Sequence, residues 1–321
     1  MNPMPTRALP EAKGYRMRPI LLLFFISVVG CSTKEQPRTA GPEAEVVRQR
    51  RATDEAVAAY VPAVAGDIND LSSPAADILR RLPGVVEVEV LVAATRPTRR
   101  IVHVRDWHYV PRDIYSIDFR AATGQELTDQ LHDEFLLGVE LVQVEQAGVL
   151  RCLVGHHGLR RVISEGLTPK GVAAFREVVD LLREADRDVA ATVEDHAGVR
   201  GKSAEIDREV DRLVGDHRLR LLEYGTPGLL AMRREVEELP LDENDTLDAA
   251  NPVTRGGGVD IDRAKSDSRH DSQVKLAVAS GSCSVLVLGG SHDLSASVRN
   301  LGGGVEYIRL ATRRYRKFAG R

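Results

Sequence analysis

Cys283-Ser284-Val285-Leu286-Val287-Leu288-Gly289-Gly290-Ser291-His292-Asp293-Leu294 is the stretch that decides the fold class. Its centre is unbroken Val-Leu-Val-Leu, closed by two glycines. That pattern reads as a strand buried on both faces, and such strands belong to parallel sheets covered by helices on both sides. Ile261 to Ala279 before it reads as a helix, and Leu294 to Leu301 after it as a short one, followed by a last strand from Val305 to Leu310.

Further upstream the order of elements repeats. Arg161-Val162-Ile163-Ser164 is a short buried strand, and Thr168-Pro169 reads as the cap of a helix that turns Val172, Phe175, Val179 and Leu182 inward. Before it, Thr123 and Glu126 have capping-box spacing. The helix they would open carries Leu127, Leu131, Phe135, Val139, Val142, Val149 and Leu153 along one face. Val86, Val88 and Val90 alternate with Glu87 and Glu89, a strand with one solvated face. Thr95-Arg96-Pro97-Thr98 reads as a turn into a second strand, Arg100 to Val104, which predicts a hairpin. Ser73-Pro74 reads as N-cap and first position of a helix that stops at Pro83-Gly84, and Glu43 to Tyr60 as a helix with a weak apolar stripe. Residues 185–220 interleave acids and bases and read as a solvated helical excursion, extending to about 250 with the acidic run Leu239 to Asn251. The glycines within Arg255 to Val259 lack the basic residue and helix that a phosphate loop needs, since Asp260 follows, and they read as a turn. The expected fold is α/β: a central, mostly parallel sheet with helices on both faces plus the helical excursion.

The N-terminus reads as an address. Arg7, Lys13, Arg16 and Arg18 precede an apolar run from Ile20 to Val29, broken only by Ser27 and too short for the roughly 20 residues that span a bilayer. Basic segment, short apolar core and small residue are the parts of a secretory signal. Val28-Val29-Gly30-Cys31 resembles a bacterial lipobox, which implies lipidation of Cys31, with an ordinary signal peptide as the alternative reading; Met17 is a candidate start. Cleavage would remove four basic residues and one acid, a net of +3, taking the chain from -3 to -6. A head of that charge would be held to the membrane by acyl chains rather than by anionic lipid. The division expected is residues 1–30 signal peptide, 31–60 tether and N-terminal helix, and 61–321 one α/β domain with a helical insertion. The location expected is the cell envelope, facing periplasm or exterior. Ser32 after the lipidated Cys favours the outer membrane.

Composition narrows the function classes. The 321 residues are 43% hydrophobic and 28% charged, which excludes a disordered chain and a polytopic membrane protein. A net charge of -3 gives no basic footprint for nucleic acid. Once Cys31 is set aside, Cys152 and Cys283 lie in apolar contexts and read as small buried residues. The tail with Arg313, Arg314, Arg316, Lys317 and Arg321 reads as a solvated end.

Unusual polar residues fall at strand ends. Arg105-Asp106-Trp107-His108 follows one strand, Glu165-Gly166 ends the next, and Gly289-Gly290-Ser291-His292-Asp293 follows the most apolar one. Ligands of parallel α/β sheets sit beyond the carboxyl ends of the strands. His108, Glu165 and His292 therefore converge if those strands, about 5 Å apart, are neighbours. Plainer readings stand beside this: a surface loop for His108, a helix cap for Glu165, and a helix start with Asp293 as N-cap for His292. Arg269, in Arg269-His270-Asp271, is the natural counter-ion for Glu165 or an anionic ligand. His103 reads as structural, and His132, His156, His157, His196 and His217 are given no role.

In order, these signals resemble TraB/Tiki proteins, ChaN-like haem-binding lipoproteins and erythromycin esterases. Val104 to His108 takes the place of a strand ending in Gly-Thr-x-His, without the Gly-Thr. Val162-Ile163-Ser164-Glu165 matches a strand ending in Glu, Arg269-His270-Asp271 approximates an Arg-Asn/Asp pair with one insertion, and Gly289 to Leu294 is similar to Gly-x-Gly-His-Leu. The resemblance covers about residues 86–312. It implies one cleft holding His, Glu, Arg and His, with metal-dependent peptide hydrolysis, Glu/His water activation or haem binding according to the branch. On that basis His108, Glu165 and His292 are expected to bind a divalent ion (Mn, Co or Zn) or orient water. Glu165 would be general base or third ligand, and Arg269 would stabilise an oxyanion. His₂Glu is a known open catalytic set for zinc. The alternative is a non-catalytic haem- or ligand-binding lipoprotein with Tyr109 or a histidine as axial ligand. The partners expected are the membrane through the lipid, a small-molecule or peptide substrate, a second copy of the chain as an option, and no nucleic acid.

Overall fold

The computed structural model describes residues 42–249 and 262–319. In chain order, α1 (Pro42–Ala59) and α2 (Ala75–Arg80) precede β1 (Val85–Val92) and β2 (Arg99–Asp106). Next come α3 (Arg112–Thr123), α4 (Asp129–His156), β3 (Arg161–Ser164), α5 (Val172–His196), α6 (Ala204–Met232) and β4 (Glu237–Pro240). The chain closes with α7 (Asn244–Ala249), α8 (Arg263–Ala279), β5 (Cys283–Gly289), α9 (Ser295–Leu301), β6 (Val305–Thr312) and α10 (Arg313–Ala319). The signal segment, Cys31, most of the tether and the glycines of 256–258 lie outside the described residues. Among the described residues no helix is long and apolar enough to cross a membrane.

The strands form one sheet in the order β1-β6-β2-β5-β3-β4. Every pairing is parallel except that of β1 with β6. β5 is central, and its alternate side chains divide between two apolar layers. Val285 and Val287 join Ile78 and Leu79 of α2 and Leu150 and Leu153 of α4. Leu286 and Leu288 join Val274 and Ala277 of α8 and Val298 of α9. A buried side chain of this size contributes about 1.5–3 kcal/mol, so filling both faces is what makes β5 a strand of this kind. The α/β architecture read from the sequence is therefore the one observed. The helical excursion consists of the antiparallel pair α5 and α6, starting earlier than residue 185.

Four local expectations are corrected. β1 and β2 do not form a hairpin, because β6 runs between them (Val88 opposite Leu310, Val104 opposite Leu310). β2 is buried without a break from Arg100 to Val104 and needs a strand on each side, whereas the half-solvated β1 suits an edge. Thr123 does not open the long helix. It ends α3, donating its hydroxyl to the Phe119 carbonyl, and Thr128 is the cap, accepting from the Leu131 amide. α3 has no side-chain cap at its start, and its stop is Gly124, in the left-handed region at φ 69°. The caps at Ser73 and Thr168 are also displaced: α2 begins at Ala75 and α5 at Val172, neither with a side-chain cap bond. Finally, the basic tail is not simply solvated. It forms α10, which buries Tyr315 and ties Arg314 to Glu45 and Gln49.

Buried Arg100, at the amino end of β2, spends its donors on Glu306 and on the carbonyls of Ile68, Asp70, Leu71 and Ser73. It thereby fastens the segment before α2 to the sheet edge opposite the carboxyl ends of the strands.

Candidate active site

β2, β5 and β3 are neighbours, so the segments that follow them leave the sheet side by side. His108 lies two residues beyond β2, Glu165 directly beyond β3, and His292 three residues beyond β5. Arg269 reaches the same place from α8. The other three meet on the Glu165 carboxylate. Oε2 accepts from His108 Nε2 at 2.8 Å and from the Gly289 amide at 2.9 Å. Oε1 accepts from Arg269 Nη2 at 2.9 Å and from His292 Nε2 at 3.1 Å.

The surroundings fix each member. Glu165 is followed by Gly166 at φ 82°, a left-handed conformation that glycine adopts without steric cost. The turn aims the Gly166 amide at Asp242 Oδ2, 2.7 Å away. Asp242, fully buried, also accepts from Arg269 Nε at 2.7 Å, Arg269 Nη2 at 3.0 Å and Gln273 Nε2 at 2.9 Å. Arg269 is thus forked between two carboxylates, as its planar guanidinium permits. His108 is held from its other side by Asp106, whose Oδ2 is 2.7 Å from Nδ1. Gly290 lets the turn after β5 pass close to α10: a Cβ there would stand 1.9 Å from the Tyr315 hydroxyl.

The charges follow from these contacts. Burial alone would raise the Glu165 carboxyl, but His292, His108 and Arg269 outweigh it and hold it well below the usual carboxylate range. Burial alone would lower His108, but Glu165 and Asp106 outweigh it and push the imidazole up to about 10. His108 is therefore an imidazolium at neutral pH, donating from both nitrogens. It serves as a charged tie and offers no lone pair.

His108, Glu165 and His292, expected from the sequence to converge, lie together, and Arg269, expected to pair with Glu165 or with an anionic ligand, pairs with Glu165. Sequence reasoning missed Asp106, Asp242, Gln273 and His270. Asp106 and His270 lie in the segments Arg105–His108 and Arg269–Asp271, next to the residues expected in the site. Asp242 follows a strand, β4, whose four residues carry no clear pattern. His270 Nε2 lies 2.7 Å from His292 Nδ1. Burial first, then His292 and Arg269, push His270 down to about 4. Tyr109 is not part of the cluster. It packs, half-buried, with Val110, Tyr115 and Phe135 beside His108 in the chain. His103 is structural, fully buried between the Tyr307 hydroxyl and the Leu288 carbonyl. Burial pushes the thiols of Cys152 and Cys283 up to about 11 and about 12, as suits unreactive packing residues.

The residues that would hold a divalent ion are His108, Glu165 and His292. In this arrangement their donor atoms are committed to one another. Both oxygens of Glu165 accept two donors each, and both nitrogens of His108 donate. A metal would have to displace these contacts and add positive charge beside Arg269. Among the described residues no group of three His, Cys, Asp or Glu is arranged to hold a metal ion.

No family model matches the chain, and no curated protein or solved structure does so either.

Proposed function

We propose that the chain is a lipid-anchored cell-envelope hydrolase that cleaves an ester or peptide bond, with water activated by the His/Glu cluster at the carboxyl edge of its sheet. One observation carries this reading: three side chains from separate segments, joined by a backbone amide, meet by direct contact on one buried carboxylate. A charge network that costs so much desolvation needs excellent geometry to break even, and replacing it by apolar residues is often neutral or stabilising. Its position, where α/β sheets bind ligands, adds to the argument. So does the motif resemblance, one branch of which implies Glu/His water activation. The lipid anchor rests on the Val28 to Cys31 segment alone.

The experiment is hydrolysis of 4-nitrophenyl acetate, 4-nitrophenyl butyrate and a fluorogenic dipeptide amide by the purified protein and by Glu165→Gln. Turnover that falls at least ~100-fold in the variant supports the reading. No turnover of any probe by the wild type overturns it. Thermal shifts with Mn²⁺, Co²⁺, Zn²⁺ and haemin separate the versions. A metal-specific rise that His292→Ala abolishes would make the reaction metal-dependent, and a haemin Soret shift lost in Tyr109→Phe would favour ligand binding. Palmitate labelling lost in Cys31→Ser tests the anchor.

A further inference from the structure

The basic residues of the chain are unevenly placed. Residues 313–321 hold Arg313, Arg314, Arg316, Lys317 and Arg321 and no acid, a local charge of +5 in a chain of -3. Four of them are on α10. Arg313, Arg316 and Lys317 are exposed, while Tyr315 is buried. Arg314 is taken up by Glu45 and Gln49, and Arg316 has Glu87 at 3.2 Å. Arg313 and Lys317 have no salt-bridge partner among the described residues. β6 runs parallel to β2, so α10, which starts where β6 stops, stands on the carboxyl edge of the sheet together with Glu165. It touches both segments that carry the histidines of the cluster: Phe318 packs on Trp107 with ring centroids 5.6 Å apart, and Tyr315 lies against Gly290. Through Arg314 it also meets the first turns of α1, where the tether joins the domain. Cys31 precedes Pro42 by 11 residues, about 40 Å at full extension. That length brings the head to a membrane without choosing which face meets it.

We propose that α10 is the membrane-facing side of the head: Arg313, Arg316 and Lys317 dock on the anionic headgroups of the membrane that holds the anchor, and turn the Glu165 edge of the sheet toward the bilayer. The choice of a membrane as partner rests on the lipid-anchor reading above and is independent of what the cluster hydrolyses. Each Lys or Arg near an anionic surface favours docking about fivefold. The acyl chains supply the attachment and α10 the orientation, so a head that is negative as a whole still presents one face. Arg316 keeps its use there, because an exposed pair such as Arg316–Glu87 is held weakly. The opposite edge is the competing face. Arg160 and Arg161 lie there, also without a salt-bridge partner among the described residues, but they are bonded to the carbonyls of Val154, Leu159 and Ser280 at the ends of α4 and α8.

Trp107 is the single tryptophan of the chain and lies against α10, so it reports the distance to the bilayer without a label. The test is energy transfer from Trp107 to dansyl-phosphatidylethanolamine, with the lipidated protein purified from membranes and reconstituted into vesicles. One set is phosphatidylcholine alone and the other contains phosphatidylglycerol. Transfer is expected to be at least about twofold higher in the anionic vesicles at low salt. The gain should vanish in about 1 M salt, where the Debye length is about 3 Å. Arg313→Glu with Lys317→Glu should abolish it, and Arg313→Gln with Lys317→Gln, the milder pair should the first fail to fold, should reduce it. Arg160→Glu with Arg161→Glu should leave it unchanged. Equal transfer in the two vesicle sets, a gain that survives the α10 changes, or a gain removed by the Arg160 and Arg161 changes overturns the proposal while the anchor and hydrolase readings stand. If the wild type takes up no palmitate, the anchor reading fails and this proposal fails with it, whereas a failed hydrolysis assay leaves both in place.

Discussion

His108 Nε2 stands 2.8 Å from Glu165 Oε2, while its Nδ1 stands 2.7 Å from Asp106 Oδ2. Asp106 ends β2 and Glu165 follows β3, two strands separated by β5. One imidazolium therefore ties two non-adjacent strands across the end of the central one, and the Gly289 amide at the end of β5 joins the tie through Glu165 Oε2. The same contacts that close the sheet edge set the charge state of the site.

That tie has a pH signature. His108 is raised from its ordinary 6.5 to about 10, so between these values the folded chain keeps a proton that the unfolded chain loses. The contribution is complete below pH 6.5 and is lost as pH rises through 10. Unfolding free energy from urea titrations should fall across this window, with a slope approaching ~1.4 kcal/mol per pH unit. His108→Gln should be less stable at pH 6.5 and lose that part of the slope. An unchanged slope in the variant would refute the charged tie.

Asp242 tests the second half of the network. It compensates Arg269 and also accepts from Gly166 and Gln273, with Asp242 and Gln273 fully buried and Arg269 nearly so. Asp242→Ala leaves Arg269 with one carboxylate where it had two and should cost about 3–5 kcal/mol, the usual result of breaking a buried pair from one side. Arg269→Lys should rescue little, since an ammonium cannot fork between two carboxylates. Urea unfolding of the two variants decides: a loss under 1 kcal/mol in Asp242→Ala would show the network to be loosely held.

How much of this was legible follows from where the information sits. The run from Val285 to Leu288 announces a strand buried on both faces, and a polar residue after each such strand announces the edge where chemistry gathers. His108, Glu165 and His292 were readable for that reason. Which strand lies beside which is not written locally. Thr95 to Thr98 is as good a turn for two adjacent strands as for two separated by β6, and only the burial of β2 on both sides distinguishes them. His270 and Asp242 were missed for a related reason. Their roles come from partners 22 and 27 residues away in the chain, met through packing of α8 on the sheet.

Gly290 gives a packing test close to the site. A methyl group there would meet the Tyr315 hydroxyl at 1.9 Å and the adjoining ring carbon at 2.2 Å, so either α10 or the turn bearing His292 must move. Gly290→Ala should cost about 1–3 kcal/mol, typical of overpacking. Tyr315→Ala destabilises by its own cavity, but in the double variant the clash is gone. The double-mutant cycle should therefore give a combined loss smaller than the sum by at least ~0.5 kcal/mol. Strict additivity would mean that the two residues do not meet.

Glu238 supplies the opposite sign of argument to a paired carboxylate. It lies on β4, buried, with Oε2 lacking a hydrogen-bond partner. Burial pushes its carboxyl from 4.5 up to about 8, with only the Ser164 hydroxyl pulling the other way. Between those values the folded chain holds more protons than the unfolded one, so stability declines as pH rises from 4.5 to 8 and the cost is complete above 8. Glu238→Gln removes the titration. It should flatten the acid side of the stability profile and make the variant at least as stable as wild type at pH 8, while differing little at pH 5. Part of the decline belongs to His108 above pH 6.5, so the comparison that isolates Glu238 is the slope between pH 5 and 6.5. If wild type and Glu238→Gln share that slope, the carboxyl is solvated or paired in solution and the raised value is wrong.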